Sequence, residues 1–155
     1  MFEYITIIQW KRSQAKFIDN RYSREHTWTF DGGVEVPASA SSHIVPVPYS
    51  NPACVDPEEA FVASLSSCHM LWFLSIAAKN KFVIESYIDQ AVGTMDKNED
   101  GKLAITKVRL RPQVKFIKDN LPTEEQVEAM HKEAHDSCFL ASSVKTVIIV
   151  EAIAP

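Results

Sequence analysis

Positive charge is in short supply in these 155 residues: 16 Lys and Arg stand against 20 Asp and Glu, a formal net charge of −4. That balance excludes an electrostatic grip on nucleic acid or anionic lipid. Cysteine is scarce and odd in number, three in all, which excludes a disulfide scaffold. Neither a Cys-x-x-Cys nor a His-Glu-x-x-His pair occurs, so the commonest metal signatures are missing. Gly32-Gly33 alone reads as a turn, and no nucleotide loop or flavin motif accompanies it. The opening Met1-Phe2-Glu3-Tyr4-Ile5 lacks the basic and apolar regions of a signal peptide. The expectation is a cytosolic protein, one domain over 1–155, with reduced thiols and no membrane partner or cofactor. What remains, 46% hydrophobic and 23% charged, is ordinary globular composition.

Period-two alternation over residues 2–10 and 25–30 predicts two strands, with Asp31-Gly32-Gly33 as a turn. Residues 37–56 carry Pro37, Pro46, Pro48, Pro52 and several serines without any period. So long a loop is expected to be functional or to lie over a partner surface. Asp56-Pro57-Glu58-Glu59 then starts a helix: Asp as N-cap, Pro at the first position, acids in the first turn. Ala60 to Ala78 is apolar on every face apart from serines and His69. The pattern predicts a helix buried on all sides. Its length approaches a membrane span, but the serines, His69 and the globular flanks favour a core helix. Strands are predicted over 82–96 and 102–116, joined by the Lys97–Gly101 turn. Thr123-Glu124-Glu125-Gln126 is a capping box opening an amphipathic second helix that runs to about Asp136. A β-branched strand, 144–153, closes the chain. Strands grouped rather than interleaved with helices argue an α+β fold.

Cys68 lies inside the apolar helix and Cys138 near the end of the second. Taken singly, each is a small buried hydrophobe. Cys54, in the proline-rich loop, has no supporting context.

Two motifs change that reading. Asp56-Pro57-Glu58-Glu59-Ala60-Phe61 followed by Ser67-Cys68, and Ala134-His135-Asp136-Ser137-Cys138, resemble the paired motifs of the OsmC/Ohr family of osmotically inducible and organic hydroperoxide resistance proteins. The order of elements agrees over 2–153. Phe139 stands where the family often has proline after the second cysteine, His69 follows the first, and the usual Arg-Asp-Gly context is missing. The chain is therefore similar to a divergent branch.

The resemblance implies an intertwined homodimer with a long central helix wrapped by antiparallel sheets. It also implies a thiol peroxidase acting on small organic hydroperoxides, recharged by a dithiol reductant. Cys68 would attack the peroxide and Cys138 would resolve the sulfenic acid. An N-terminal arginine held by Glu58 would favour the thiolate. Arg24 is the choice, because it immediately precedes a strand; Arg21 and Arg12 are alternatives. Ten residues of helix rise about 15 Å, so Glu58 cannot reach Cys68 within one straight helix. Two such helices antiparallel about a two-fold axis would place Glu58 of one near Cys68 of the other.

Two other readings stand beside this one. His131, His135 and Cys138 fall at spacings that share a helix face and, with Cys54 or His69, would make a metal site. Alternatively, Phe61, Leu65, Leu71 and Trp72 would line an apolar pocket in a binding or redox-sensing protein that lacks turnover. His69, about 100° around the helix from Cys68, is expected to be a hydrogen-bonded core histidine.

Overall fold

A computed structural model describes residues 1–153. The chain divides into two units, residues 1–60 and 61–155.

The first unit holds a three-stranded antiparallel sheet in the order β1 (Thr6–Gln9), β2 (His26–Phe30), β3 (Glu35–Ala38). The turn between β2 and β3 places Gly33 at φ 82°, a left-handed conformation that glycine adopts without strain. Strand β3 runs two residues into the 37–56 stretch that has no period in the sequence. Its pairing with β2 runs from Thr29↔Glu35 through Thr27↔Pro37 to His26↔Ala38. Edge position explains the proline, since a ring without an N–H is tolerated only where a ladder bond is dispensable. The rest of the 37–56 segment is irregular but tied down. Buried Ser39 accepts the Asn51 N–H at 3.0 Å, and buried Ser50 donates to the Val45 carbonyl at 2.6 Å. The Arg24 N–H donates to the Tyr49 carbonyl at 2.9 Å.

Helix α1 spans Pro57–Lys79. Asp56 caps it as predicted, its Oδ1 accepting the Glu59 N–H at 2.7 Å. Beyond Ala60 the helix belongs to the second unit. There β4 (Ile84–Asp89) pairs with β7 (Pro112–Phe116), and β5 (Val92–Lys97) pairs with β6 (Leu103–Leu110). The two long strands expected from sequence are thus each broken in two. The break in the second falls at Arg111, whose N–H donates to Asp89 Oδ1 at 2.6 Å. Strand β8 (Val147–Val150) lies parallel to β6. It is shorter than the expected 144–153 and follows a 3-10 turn at residues 141–143. Helix α2 (Glu124–Ser137) begins with the predicted capping box, Thr123 and Gln126 each receiving the other's backbone N–H.

Two apolar clusters anchor α1. Leu65 packs with Val108 and Leu110 of β6; Phe73, Ile76 and Ala77 pack with Val114 of β7 and with Met130 and Ala134 of α2. This packing makes α1 a core helix, although 23 residues of this hydropathy are long and apolar enough to cross a membrane. Within one chain the expected burial is only partly met. Only Leu65, His69, Phe73, Ile76 and Ala77 are buried, and Ala63, Ser67, Leu71 and Ser75 form an exposed stripe. Leu71 is 60% exposed. One face of α1, alternating Ala or Leu with Ser, is uncovered among the described residues.

Gly93 of β5 lies against this helix. A Cβ there would sit 2.5 Å from Val62 Cγ2, and a β-branched neighbour has little freedom to retreat. Gly93→Ala is expected to destabilise the protein by roughly 1–3 kcal/mol, read as a lower urea midpoint at unchanged slope.

Candidate active site

Helix α1 carries Cys68 and helix α2 ends on Cys138, 70 positions later. Packing of Phe73 and Ala77 against Met130 and Ala134 sets the two helices side by side. Val127, Met130, Ala134 and Cys138 all fall on the inward stripe of α2. The outcome is direct contact. The Cys138 thiol donates to Cys68 Sγ at 2.7 Å, and both are free thiols. A sub-ångström approach would bring the sulfurs to the covalent distance of about 2.05 Å.

The two thiols differ. Cys138 is buried and Cys68 only half-buried. Burial, together with the hydrogen bond it donates to Cys68, pushes the Cys138 thiol up from its ordinary pKa. The Ala141 N–H, at 3.4 Å from Cys138 Sγ, acts in the opposite sense. Cys68 is therefore the acceptor of the pair and the sulfur that solution reaches, the two properties an attacking nucleophile needs. Trp72 meets Phe139 edge-on beside them, ring centroids 5.5 Å apart.

His69 is the core histidine the sequence predicts, and its partner is one the sequence reading missed. Its Nε2 lies 3.0 Å from Nδ1 of His131, and both rings are buried. Burial is the first cause that lowers each to a pKa of about 4; His135 adds to this for His69, and His69 for His131. Both are neutral at neutral pH. A signal for His131 was present: it stands four residues after Val127 and three before Ala134, on the apolar stripe of its helix. Nearby, Ser66 Oγ donates to Asp89 Oδ2, while the Tyr87 hydroxyl is buried without a partner and is pushed up by burial and by Asp89.

The metal alternative is not supported by this geometry. Among the described residues no three His, Cys, Asp or Glu side chains converge as metal ligands, because His131 turns to His69 and Cys138 to Cys68. The apolar residues named around Cys68 are mostly packed: Leu65 is core, Phe61 covers it, and Trp72 packs against the Phe73 cluster and Phe139. A cavity of about 740 Å³ lies elsewhere, between α2 and strands β7 and β8, with His131 and His135 in its wall.

Arg24 and Glu58 belong to the first unit. The Arg24 guanidinium lies 3.7 Å from the Tyr22 ring centroid, and its Nη2 donates to Asn20 Oδ1 at 2.6 Å. Its Nη1 also donates to the carbonyls of Asn20 and Tyr22. It lines an aromatic recess with Trp10, Phe17 and Tyr22. Arg12 and Arg21 are exposed, and Arg12 donates to the Ala15 carbonyl. One Glu58 carboxylate oxygen is buried without a hydrogen-bond partner, the state in which a carboxylate calls for a cation. Cys54 is half-buried in the loop before α1.

Comparison with known proteins agrees with this architecture. The family model described as OsmC-like protein matches residues 50–152. An OsmC-like protein of unknown function from Vibrio cholerae is 58% identical and superposes with a TM-score of 0.97, covering 99% of this chain and 100% of its own. An organic hydroperoxide resistance protein from Elizabethkingia anophelis shares the fold at 15% identity, TM-score 0.71, covering 99% of this chain and 96% of its own. One from Bacillus subtilis does so at 17% identity and TM-score 0.61, covering 99% of this chain and 98% of its own. No curated protein matches. With a mixed helix and sheet fold, the paired motifs around Cys68 and Cys138, and a family match over most of its length, the chain belongs to the OsmC-like family.

Proposed function

We propose that the protein is a cysteine-based peroxidase for organic hydroperoxides, a cytoplasmic enzyme of oxidative stress defence. The observation that carries this reading is the contact of Cys68 and Cys138 at 2.7 Å across 70 residues of chain. A lone buried cysteine is inert; two free thiols in contact, one half-exposed, form a dithiol able to cycle. Membership of a family with named organic hydroperoxide resistance proteins supports the same class of chemistry.

In the proposed cycle the Cys68 thiolate attacks the terminal oxygen of ROOH. The S–O bond forms as the O–O bond breaks, RO⁻ takes a proton and leaves as the alcohol, and Cys68 becomes a sulfenic acid. Cys138 sulfur then bonds to Cys68 sulfur. The sulfenic oxygen departs as water, taking the proton that Cys138 gives up. An external dithiol reduces the disulfide and restores both thiols.

Arg24 and Glu58 complete the site in this reading, in a homodimer where α1 of each chain is covered by its partner. Exposed Leu71 of α1 and exposed Ile7 and Ile8 of β1 supply apolar surface for such an interface. The orphaned Glu58 oxygen supplies the anion that an arginine would meet.

Intact mass spectrometry before and after one equivalent of cumene hydroperoxide tests the proposal. A loss of two hydrogens mapping to a Cys68–Cys138 bridge, with cumyl alcohol formed in equal amount, is the expected result. Three thiols still free beside unconsumed peroxide would sink it in favour of a binding protein, for which the 740 Å³ cavity is the place to seek a ligand.

A further inference from the structure

The His69–His131 pair has no part in the cycle above, yet it sits between the two helices that carry the cysteines. His69 follows Cys68 directly on α1, and His131 precedes Cys138 by seven residues on α2, two turns back on the same stripe. The ring nitrogens meet at 3.0 Å, with the rings nearly coplanar in orientation, 7° apart. Phe73 stacks on His131 with centroids 4.1 Å apart. Apart from the thiol pair itself, the rest of the local contact between the helices is apolar: Phe73, Ile76 and Ala77 against Met130 and Ala134. Apolar packing is non-directional and tolerates sliding. A hydrogen bond between two planar rings is directional and does not.

We infer that His69 and His131 are positioning residues: their hydrogen bond fixes the register of α2 on α1 and so holds the Cys68 and Cys138 sulfurs at bonding range. Their hydrogen bond is to each other, and the sulfurs' is to each other. Each histidine acts through the helix that bears one of the sulfurs. With both rings neutral, one nitrogen donates and the other accepts, and the cross-link carries no charge that burial would penalise. The inference rests on the two-cysteine reading of the site, but its test needs no peroxide.

The measurement is the equilibrium between dithiol and disulfide in glutathione buffers of graded ratio, quenched and read by mass. Removing one ring, in His131→Leu, leaves His69 Nε2 buried and unpartnered and weakens the fold as well as the register. The double variant His69→Leu/His131→Leu removes both polar groups and restores stability, since replacing both partners of a buried hydrogen bond by apolar groups can be nearly neutral. It does not restore direction. The expected result is a disulfide formed about tenfold less favourably in the double variant than in the native protein, a potential about 30 mV higher. His131→Asn, which keeps a polar side chain facing His69, is expected to recover most of that loss. A double variant that is folded yet titrates with the native potential overturns the inference and leaves the pair a matter of core packing. Absence of any disulfide in the native protein at every glutathione ratio overturns both the inference and the two-cysteine reading; survival of the native disulfide without peroxide turnover overturns only the peroxidase.

Discussion

Cys68→Ser abolishes hydroperoxide consumption, and Cys138→Ser does not abolish the first turnover. These are the expected results of a peroxide assay on the two variants, and their asymmetry is the informative part. The reacting species is a thiolate, and a serine hydroxyl has no comparable anion at neutral pH, so the first variant falls to the uncatalysed background. In the second variant Cys68 keeps its exposure and loses only the neighbour that donates to it at 2.7 Å. It should consume one equivalent of peroxide, stop, and hold a sulfenic acid that a dimedone-type reagent traps. Continued turnover in Cys68→Ser would exclude the assignment of the nucleophile. Continued turnover in Cys138→Ser with a dithiol reductant would show that the reductant itself resolves Cys68.

The second large effect is on stability in mild acid. His69 and His131 are held neutral in the folded protein with pKa values of about 4, burial being the main cause. An unfolded histidine titrates near 6.5. Between those values the unfolded chain binds more protons than the folded one, so stability is complete above about pH 6.5 and falls as pH drops toward 4. At pH 5 the loss is about 2 kcal/mol for each histidine, taking 1.36 kcal/mol per pH unit. For a domain of this size that is a fall in Tm of roughly 5–15 °C between pH 7 and pH 5. The double variant His69→Leu/His131→Leu should lose most of this dependence. Equal acid sensitivity in the two proteins would assign it to the carboxylates instead.

Much of this was legible in the sequence, and the reasons differ by element. Local signals acted at both helix starts: Asp56 and the Thr123–Gln126 box cap the ends they predict. Strand breaks were not legible, because the breaks at residues 90–91 and at Arg111 depend on tertiary contacts such as the bond from Arg111 to Asp89. The helix expected to be buried on every face is only partly covered within one chain, since composition reports how apolar a face is and not what covers it. The pairing of Cys68 with Cys138 came from motif resemblance; no spacing rule joins residues 70 apart. His131 was read as sharing a face with His135 and Cys138 for a metal site, although its stripe already contained Val127 and Ala134.

The unequal exposure of the two sulfurs bears on recovery as much as on attack. In a disulfide between them, only the Cys68 sulfur is open to an incoming thiolate, so the reductant must form its mixed disulfide there and expel Cys138. A leaving thiol departs more slowly the higher its pKa, and burial raises that of Cys138. Recharging is therefore expected to be slower than oxidation. At steady state the oxidised form would then predominate, and the supply of reductant, rather than of peroxide, would set the pace.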